Sequence, residues 1–506
     1  MSTQPQPVVV VTPPMPHRRN AELLLVGFAT VITAAALLLV SINQQQPLGW
    51  DLLRVVLAYL TLFTLAHLVI RRYALHADPL LLPIVAVLNG LGVVMIYRLD
   101  LEAALTSGPT QGPSSATLQL GWTLLGVLGF CVVVIVLKDY RVLARYGYLC
   151  GAAGLILLAI PAVLPSSISE ANGAKIWIRL PGVSIEPAEF AKILLIVFLA
   201  AVLVAKRGLF ASAGTRVLGM NLPRPRDVAP MLGAWVLSVA VMVCETDLGA
   251  SLLVYATFLV MVYLATARIS WALIGVTLFA AGAVAAYHLF GHVQIRVQNW
   301  LDPFLDPDGT GYQMVQSLFS FAAGGLFGTG LGNGQPGIIP VASSDFIIAA
   351  YGEELGLVGL TAVLMLYTIL IMRALRTAIT VRDTFGKLLA AGLAVTVAFQ
   401  VFLVVGGVTK LIPQTGLTTP WMSYGGSSLL ANYVLLAILM RISHAARGPV
   451  HPRPPQTPIA DAGTEVITRT RHRNRRVAVR DGDDAQSSAV RVAVGGDESS
   501  RRRGQP

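Results

Sequence analysis

A chain of 506 residues that is 55% hydrophobic and only 12% charged is not an ordinary soluble protein. Its formal charge of +11 sits in the connections between apolar runs and in a polar tail, not on a nucleic-acid surface. Cys131, Cys150 and Cys244 have neither paired nor metal-type spacing, so they define no disulfide framework and no metal site.

Crossing a bilayer with a helix takes roughly 20 apolar residues, because the hydrocarbon layer is about 30 Å thick. Twelve stretches meet this requirement, starting near Glu22, Asp51, Asp78, Gln119, Gly147, Pro187, Ala229, Gly249, Ser270, Glu354, Gly386 and Gly425. They are apolar all round, which excludes a soluble bundle of amphipathic helices. Arg18 and Arg19 precede the first span as in a signal peptide. No small-residue cleavage site follows and a second span comes at once, so the segment reads as a retained anchor. With the N-terminus inside, the inner tail and loops carry seventeen Lys and Arg and the outer loops six, Arg54, Arg98, Lys175, Arg179, Arg296 and Lys410. That bias predicts an all-α polytopic membrane protein with about twelve transmembrane helices and both termini cytoplasmic. Residues 1–20 form the inner tail, 21–77 two N-terminal spans and 78–447 the main body, with a long extracellular loop at 290–352 between helices 9 and 10. From 448 to 506, eleven Arg and seven acids replace the apolar runs, predicting a disordered cytoplasmic tail. Its Arg469–Arg480 cluster suits anionic membrane lipids or a cytoplasmic partner, or is simply solvated.

Polar chemistry gathers at the outer ends. Lys175 and Arg179 flank Trp177 in Asn172-Gly-Ala-Lys-Ile-Trp-Ile-Arg179, a pattern of interfacial anchoring or of contact with an anionic lipid headgroup. In Glu186-Pro-Ala-Glu189-Phe-Ala-Lys192, Pro187 suits a first helical turn, and Glu189 and Lys192 share a face. Lys192 then lies roughly 7 Å into the span, either in a structural ion pair or available to a phosphate. The outer loop holds Asp302-Pro-Phe-Leu-Asp306-Pro-Asp308-Gly-Thr-Gly, a turn, followed by Tyr312, Gln313, Gln316 and Ser317 at spacings of one polar helical face. A carboxylate beside hydroxyls and amides suits proton abstraction and polyol binding. Gly332, Gly334 and Gly337 formally match a dinucleotide motif, but no strand precedes them and a proline intervenes, so the glycines are read as permitting tight turns or close backbone approach. Asp345 and the Glu353-Glu354 pair lead into the tenth span, where the helix dipole favours acids. The last outer loop, Pro413 to Ser428, is irregular and hydroxyl-rich.

Together these strings resemble the shape, elongation, division and sporulation (SEDS) family, which includes RodA, FtsW and SpoVE. The matching residues are Asn172–Trp177, Glu186–Lys192, Asp247-Leu-Gly, Asp306 to Gln313, Gly324–Gly334, Ser344-Asp-Phe-Ile, Gly352-Glu-Glu-Leu-Gly and Thr415 to Ser428. With its two extra N-terminal spans, the pattern is most similar to the actinobacterial RodA branch. The resemblance implies a peptidoglycan glycosyltransferase of the plasma membrane that polymerises lipid II, a disaccharide-pentapeptide on undecaprenyl pyrophosphate, in cell elongation and shape maintenance. It implies a class B penicillin-binding protein as partner, places the essential acid at Asp306, and puts the family's membrane Glu and Lys at Glu189 and Lys192. Asp345, Lys175, Arg179 and the Tyr312–Ser317 face are then expected to bind substrate. Three departures stand out: the extra spans lie outside the match, Ile176 stands where Arg is common, and Lys410 stands where a small residue is common.

Under this resemblance Asp306 acts as general base for an inverting displacement, while Lys192, Lys175 and Arg179 meet the leaving diphosphate. A divalent cation (Mg or Mn) bridging phosphates is a candidate addition; no metal ligand set is expected from the chain itself. The rivals are a lipid II flippase, a division polymerase of the FtsW type, and a noncatalytic scaffold. A carrier favours binding at the midplane and repeated halves, whereas here the charges sit near the outer interface and no repeat is evident.

Overall fold

The computed structural model describes residues 17–47, 49–107, 113–171, 174–180, 183–206 and 247–449, with short pieces between 215 and 240. Ten of the helices among them are long and apolar enough to cross a membrane. In chain order the helices that matter are α1 (His17–Asn43), α2 (Trp50–Tyr73), α3 (Leu81–Ser107), α4 (Ser115–Val136), α5 (Gly147–Val163), α6 (Pro187–Ala205) and α7 (Leu248–Thr266). They continue with α8 (Ile269–Leu289), α9 (Gly291–Leu301), α10 (Tyr312–Gly324), α11 (Ile347–Thr380), α12 (Thr384–Val408) and α13 (Gly426–Arg447). The span expected from Gly147 is α5, a shorter apolar helix of 17 residues with Pro161 inside it. The span expected from Ala229 and the tail from 450 onward lie largely outside the described residues.

Helix contacts follow from small residues on facing surfaces, since lipid offers no hydrophobic drive and close backbone approach must supply the attraction. On α5, Gly147, Gly151 and Gly154 form one face against α6, where a Cβ at 151 would come within 2.6 Å of the Phe198 ring. α4 packs on α13, α1 on α3, and α7 and α11 on α12. The apolar window of α3 is 89% buried and those of α12 and α13 72%, whereas that of α8 is 6% buried, so α3, α12 and α13 form the centre and α8 the rim. α8 docks by little more than Gly275, whose carbonyl accepts from the Tyr255 hydroxyl at 2.6 Å.

Connections assigned to the same side meet at the same end of the bundle. At the end expected to face inward, Arg19 donates to the carbonyls of Ala74 and Ala77, Arg441 to those of Tyr73, Leu137 and Lys138, and Arg447 pairs with Asp78. At the other end, Arg98 reaches Gly334, Gln119 reaches Ser423 and Trp300 reaches Lys410.

One helix departs from its expected course. α11 begins at Ile347, so Glu353 and Glu354 stand in its second turn rather than at its N-terminus. The helix-dipole reading of these acids is therefore corrected. Glu353 accepts from Ser320 Oγ at 2.8 Å and from the Gln335 amide at 2.6 Å, and Glu354 from Arg98 Nε at 3.1 Å. Two residues on, Gly356 takes φ 65° and ψ −170°, breaking the helical ladder. The glycine-rich segment fills the break. Thr329 and Gly330 donate to the carbonyls of Glu353 and Glu354 at 3.0 and 2.9 Å, while Leu357 and Val358 donate to Gly325 and Leu326 at 3.0 Å. These bonds pair four backbone groups at the break, which the low-dielectric surroundings would otherwise penalise. A Cβ at 356 would lie 2.3 Å from the Gly328 nitrogen. The close-approach reading of these glycines holds.

Candidate active site

The Asp306 loop is built from α9 and the turn after it. α9 presents Arg296 and Trp300, one turn apart, to the chain after α12: Arg296 donates to the carbonyls of Gln414 and Thr415 at 3.3 and 3.2 Å, and Trp300 Nε1 to that of Lys410 at 3.2 Å. Lys410 has φ 62° just past the end of α12, a helix-capping position where glycine or another small residue is cheapest. Asp302 caps the short turn Pro303–Leu305 by accepting from the Phe304 amide at 3.1 Å, its expected structural role.

Asp306 itself is exposed. Its Oδ2 accepts from the Thr310 amide at 2.7 Å, and its carbonyl accepts from Gly311 at 3.0 Å. Asn299 fixes the far side of the loop, donating to the Thr310 carbonyl at 2.7 Å. Gly309 lies against the carboxylate, where a Cβ would sit 2.4 Å from Oδ2. Among the described residues no hydrogen bond engages Oδ1. One carboxylate oxygen is therefore fixed and the other open to an incoming hydroxyl.

α10 starts immediately after this turn, with Tyr312, Gln313 and Gln316 half-buried on it. Ser317 does not join them: it is buried and its hydroxyl donates to the Val408 carbonyl at the end of α12, at 3.1 Å, rather than facing open space. Lys175 is half-buried and Arg179 exposed, on two small antiparallel hairpins (170–175 and 178–185) rather than on a helix.

Below this lies a polar cluster that only the fold assembles. Lys192 is 5% exposed, paired to Glu189 at 2.5 Å and donating to Gln400 Oε1 at 3.0 Å, so it is engaged rather than free. Gln400 Nε2 donates to the Thr418 carbonyl at 2.9 Å, and Thr418 exchanges a hydroxyl contact of 2.8 Å with Ser428. Glu186 donates through its amide to Ser427 Oγ at 2.9 Å. Asp247 caps α7 and, with Asp345, lies in the field of Arg296. Burial raises the Glu186 carboxyl well above its usual range, helped by Glu189, and raises that of Asp247. Burial likewise lifts Asp345 to about 6, against the opposing pull of the Ser344 hydroxyl and Arg296. Sequence reasoning did not place Glu186, Asp247, Arg296 or Gln400 in the site; the Asp-Leu-Gly string and an arginine on an otherwise uncharged helix were the available signals. Among the described residues no group of three His, Cys, Asp or Glu could hold a metal ion.

Lys192 also lines a narrow apolar groove between α6, α7 and α12. Leu195, Phe198, Leu199, Leu253 and Phe258 line it, with Thr257 and Thr396 as its few polar walls. A cation beside an apolar groove suits an amphiphile with an anionic head and a hydrocarbon tail.

A multi-pass helical membrane protein with an exposed acid on a long loop and a buried lysine beside an apolar groove is the class that fold and site define. The chain belongs to the FtsW/RodA/SpoVE family, described as cell cycle protein, which matches residues 79–448. It is 69% identical over 470 residues to the peptidoglycan glycosyltransferase RodA of Mycobacterium bovis, covering 93% of this chain and 100% of that protein. It is 66% identical to the protein of the same name from Mycobacterium leprae over the same shares, and 32% identical to stage V sporulation protein E of Bacillus subtilis over 73% of this chain and 98% of that one. Among solved structures, a chain from a peptidoglycan synthase complex, described as coordinating polymerization and crosslinking, aligns with a TM-score of 0.58 at 26% identity, over 74% of this chain and 99% of that one. The crystal structure of Thermus thermophilus RodA aligns with a TM-score of 0.52 at 25% identity, over 74% and 98%.

Proposed function

We propose that this chain is a peptidoglycan glycosyltransferase that polymerises lipid II at the outer face of the plasma membrane during cell elongation. Asp306 is the general base. Its open Oδ1 takes the proton from the 4-hydroxyl of the acceptor's terminal N-acetylglucosamine. That oxygen forms the new bond to C1 of the donor's muramic acid as the bond from C1 to the undecaprenyl pyrophosphate oxygen breaks, inverting the anomeric centre. A positioned base contributes about 10²–10⁴-fold, and stabilisation of the departing charge supplies more. We assign Lys192, exchanging its present partners, to the diphosphate, with the isoprenoid chain along the apolar walls of the groove and Lys175 and Arg179 acting from the hairpins. Tyr312, Gln313, Gln316 and Asp345 contact the sugars. A divalent cation arriving with the diphosphate would be part of the substrate, and no step requires one held by the chain.

The observation that carries this reading is the asymmetry at Asp306, where one oxygen is locked by the Thr310 amide and the other open beside a polar helix. A class B penicillin-binding protein is the partner we assign, in keeping with the synthase complex among the structural neighbours. The test is purified protein, with and without such a partner, given lipid II in detergent and assayed for glycan chains on gels. Polymer that disappears with Asp306→Asn supports the enzyme. Labelled lipid II crossing liposome membranes without polymer formation would favour the carrier instead.

A further inference from the structure

The two N-terminal helices precede the family match at 79–448, yet they touch the part of the molecule that leads to Asp306. At the end of α1, Asn43 Nδ2 donates to the Leu331 carbonyl and Gln44 Nε2 to that of Gly332. The Leu331 side chain packs against a small core of Leu37, Val40 and Val94 formed between α1 and α3 and flanked by Val55 and Val56 of α2. Gly332 has φ 86°, and a Cβ there would stand 3.1 Å from Asn43 Cβ and 3.3 Å from Val40 Cα, so the loop rests directly on α1. This is the same segment that fills the break in α11. Through Thr329 and Gly330 it binds the backbone of Glu353 and Glu354, and Glu353 in turn holds Ser320 of α10, the helix that begins where the Asp306 turn ends.

We infer that the α1–α2 hairpin is a brace for the outer loop, and that Asn43 and Gln44 are positioning residues that keep the Asp306 turn in its working geometry. The contact is made by side-chain amides to backbone carbonyls, so it depends on the donors and not on the identity of the loop's side chains. A continuous run of hydrogen bonds and packing then links α1 to α10 without touching substrate. This inference rests on the proposed activity only for its kinetic consequence; its structural half stands apart.

The experiment compares full-length wild type, Asn43→Asp/Gln44→Glu, which keeps shape but removes both donors, and Gln44→Lys, which keeps a donor at 44. Hydrogen exchange is followed by mass spectrometry in detergent, alongside lipid II polymerisation. In the donor-less variant, amides of 325–334 and those of Thr310 and Gly311 exchange about tenfold faster, as loss of hydrogen bonds of ordinary strength implies, while the inner ends of α3, α12 and α13 keep wild-type protection. Turnover at saturating lipid II falls about three- to tenfold with KM within about twofold, and Gln44→Lys stays near wild type. Unchanged exchange at 325–334, an even rise throughout the bundle, or a local rise with wild-type turnover each overturns the inference. Should wild type itself make no polymer, the enzymatic reading fails, and exchange at Thr310 and Gly311 alone decides whether the brace reaches the turn.

Discussion

Gly309→Ala tests the geometry of the base without removing it. The backbone at 309 is not left-handed, so alanine is free of conformational strain there. Its methyl carbon, however, would start 2.4 Å from Asp306 Oδ2, against the 3.4 Å or more of an ordinary contact. Relief requires the carboxylate or the turn to move by about 1 Å, which breaks the alignment of Oδ2 with the Thr310 amide. Misplacement on that scale costs a catalytic group about 10²-fold. Asp306→Asn, which abolishes the base, should cost about 10²–10⁴-fold. We therefore expect Gly309→Ala to retain measurable polymerisation near one hundredth of wild type, with thermal stability within about 1 kcal/mol because the turn is exposed. Initial rates from labelled lipid II, read as glycan chains on gels, together with a melting curve, make the comparison. A Gly309→Ala enzyme that polymerises at the wild-type rate would falsify the assignment of this turn as the device that aims the base.

Glu189→Gln leaves the Lys192 charge buried without its counter-ion and should cost about 3–5 kcal/mol, whereas Glu189→Gln/Lys192→Met should recover part of that loss; melting in detergent decides, and additivity of the two changes would count against the pair. Asp345 has its pKa raised from 3.8 to about 6, so the folded state binds its proton more tightly than the unfolded chain does. The stability this contributes is present below about pH 4 and lost as pH rises to about 6. Melting temperatures of wild type should fall relative to Asp345→Asn across that window, and parallel profiles would refute the shift. Gly356→Ala, placed at φ 65° with the Gly328 nitrogen in its way, should destabilise by about 1–3 kcal/mol; an unaltered denaturation midpoint would mean the bracket around the break is not rigid.

The spans were legible because their signal is local: apolar residues on every face and a bias of cations between them. The start of α6 at Pro187 and the Asp306 turn with α10 after it were equally local, set by proline, glycine and short-range hydrogen bonds. Glu353 and Glu354 were misread for a physical reason. The apolar run begins only after Gly356, so the eye places the helix start there, while the true start at Ile347 depends on packing. Ser317 fits the polar spacing of α10, but which face of that helix meets α12 is a tertiary fact. Lys192 was visible as a buried cation, whereas Gln400, its second partner, lies 208 residues away and sits in a span with nothing nearby to single it out. Asp247, Arg296 and Asp345 likewise approach one another only once α7, α9 and the start of α11 are in place.

A straight helix of the 34 residues of α11 would measure about 51 Å, far beyond the roughly 30 Å of hydrocarbon it has to traverse. The interruption at Gly356 divides that length. The portion from Leu357 onward is ample for the crossing, and the nine residues before Gly356 form a separate rod buried inside the bundle, where the Tyr351 hydroxyl donates to the Leu91 carbonyl of α3. A single backbone torsion thus lets one unbroken stretch of chain serve both as a crossing and as an interior support that holds two carboxylates against the glycine-rich segment.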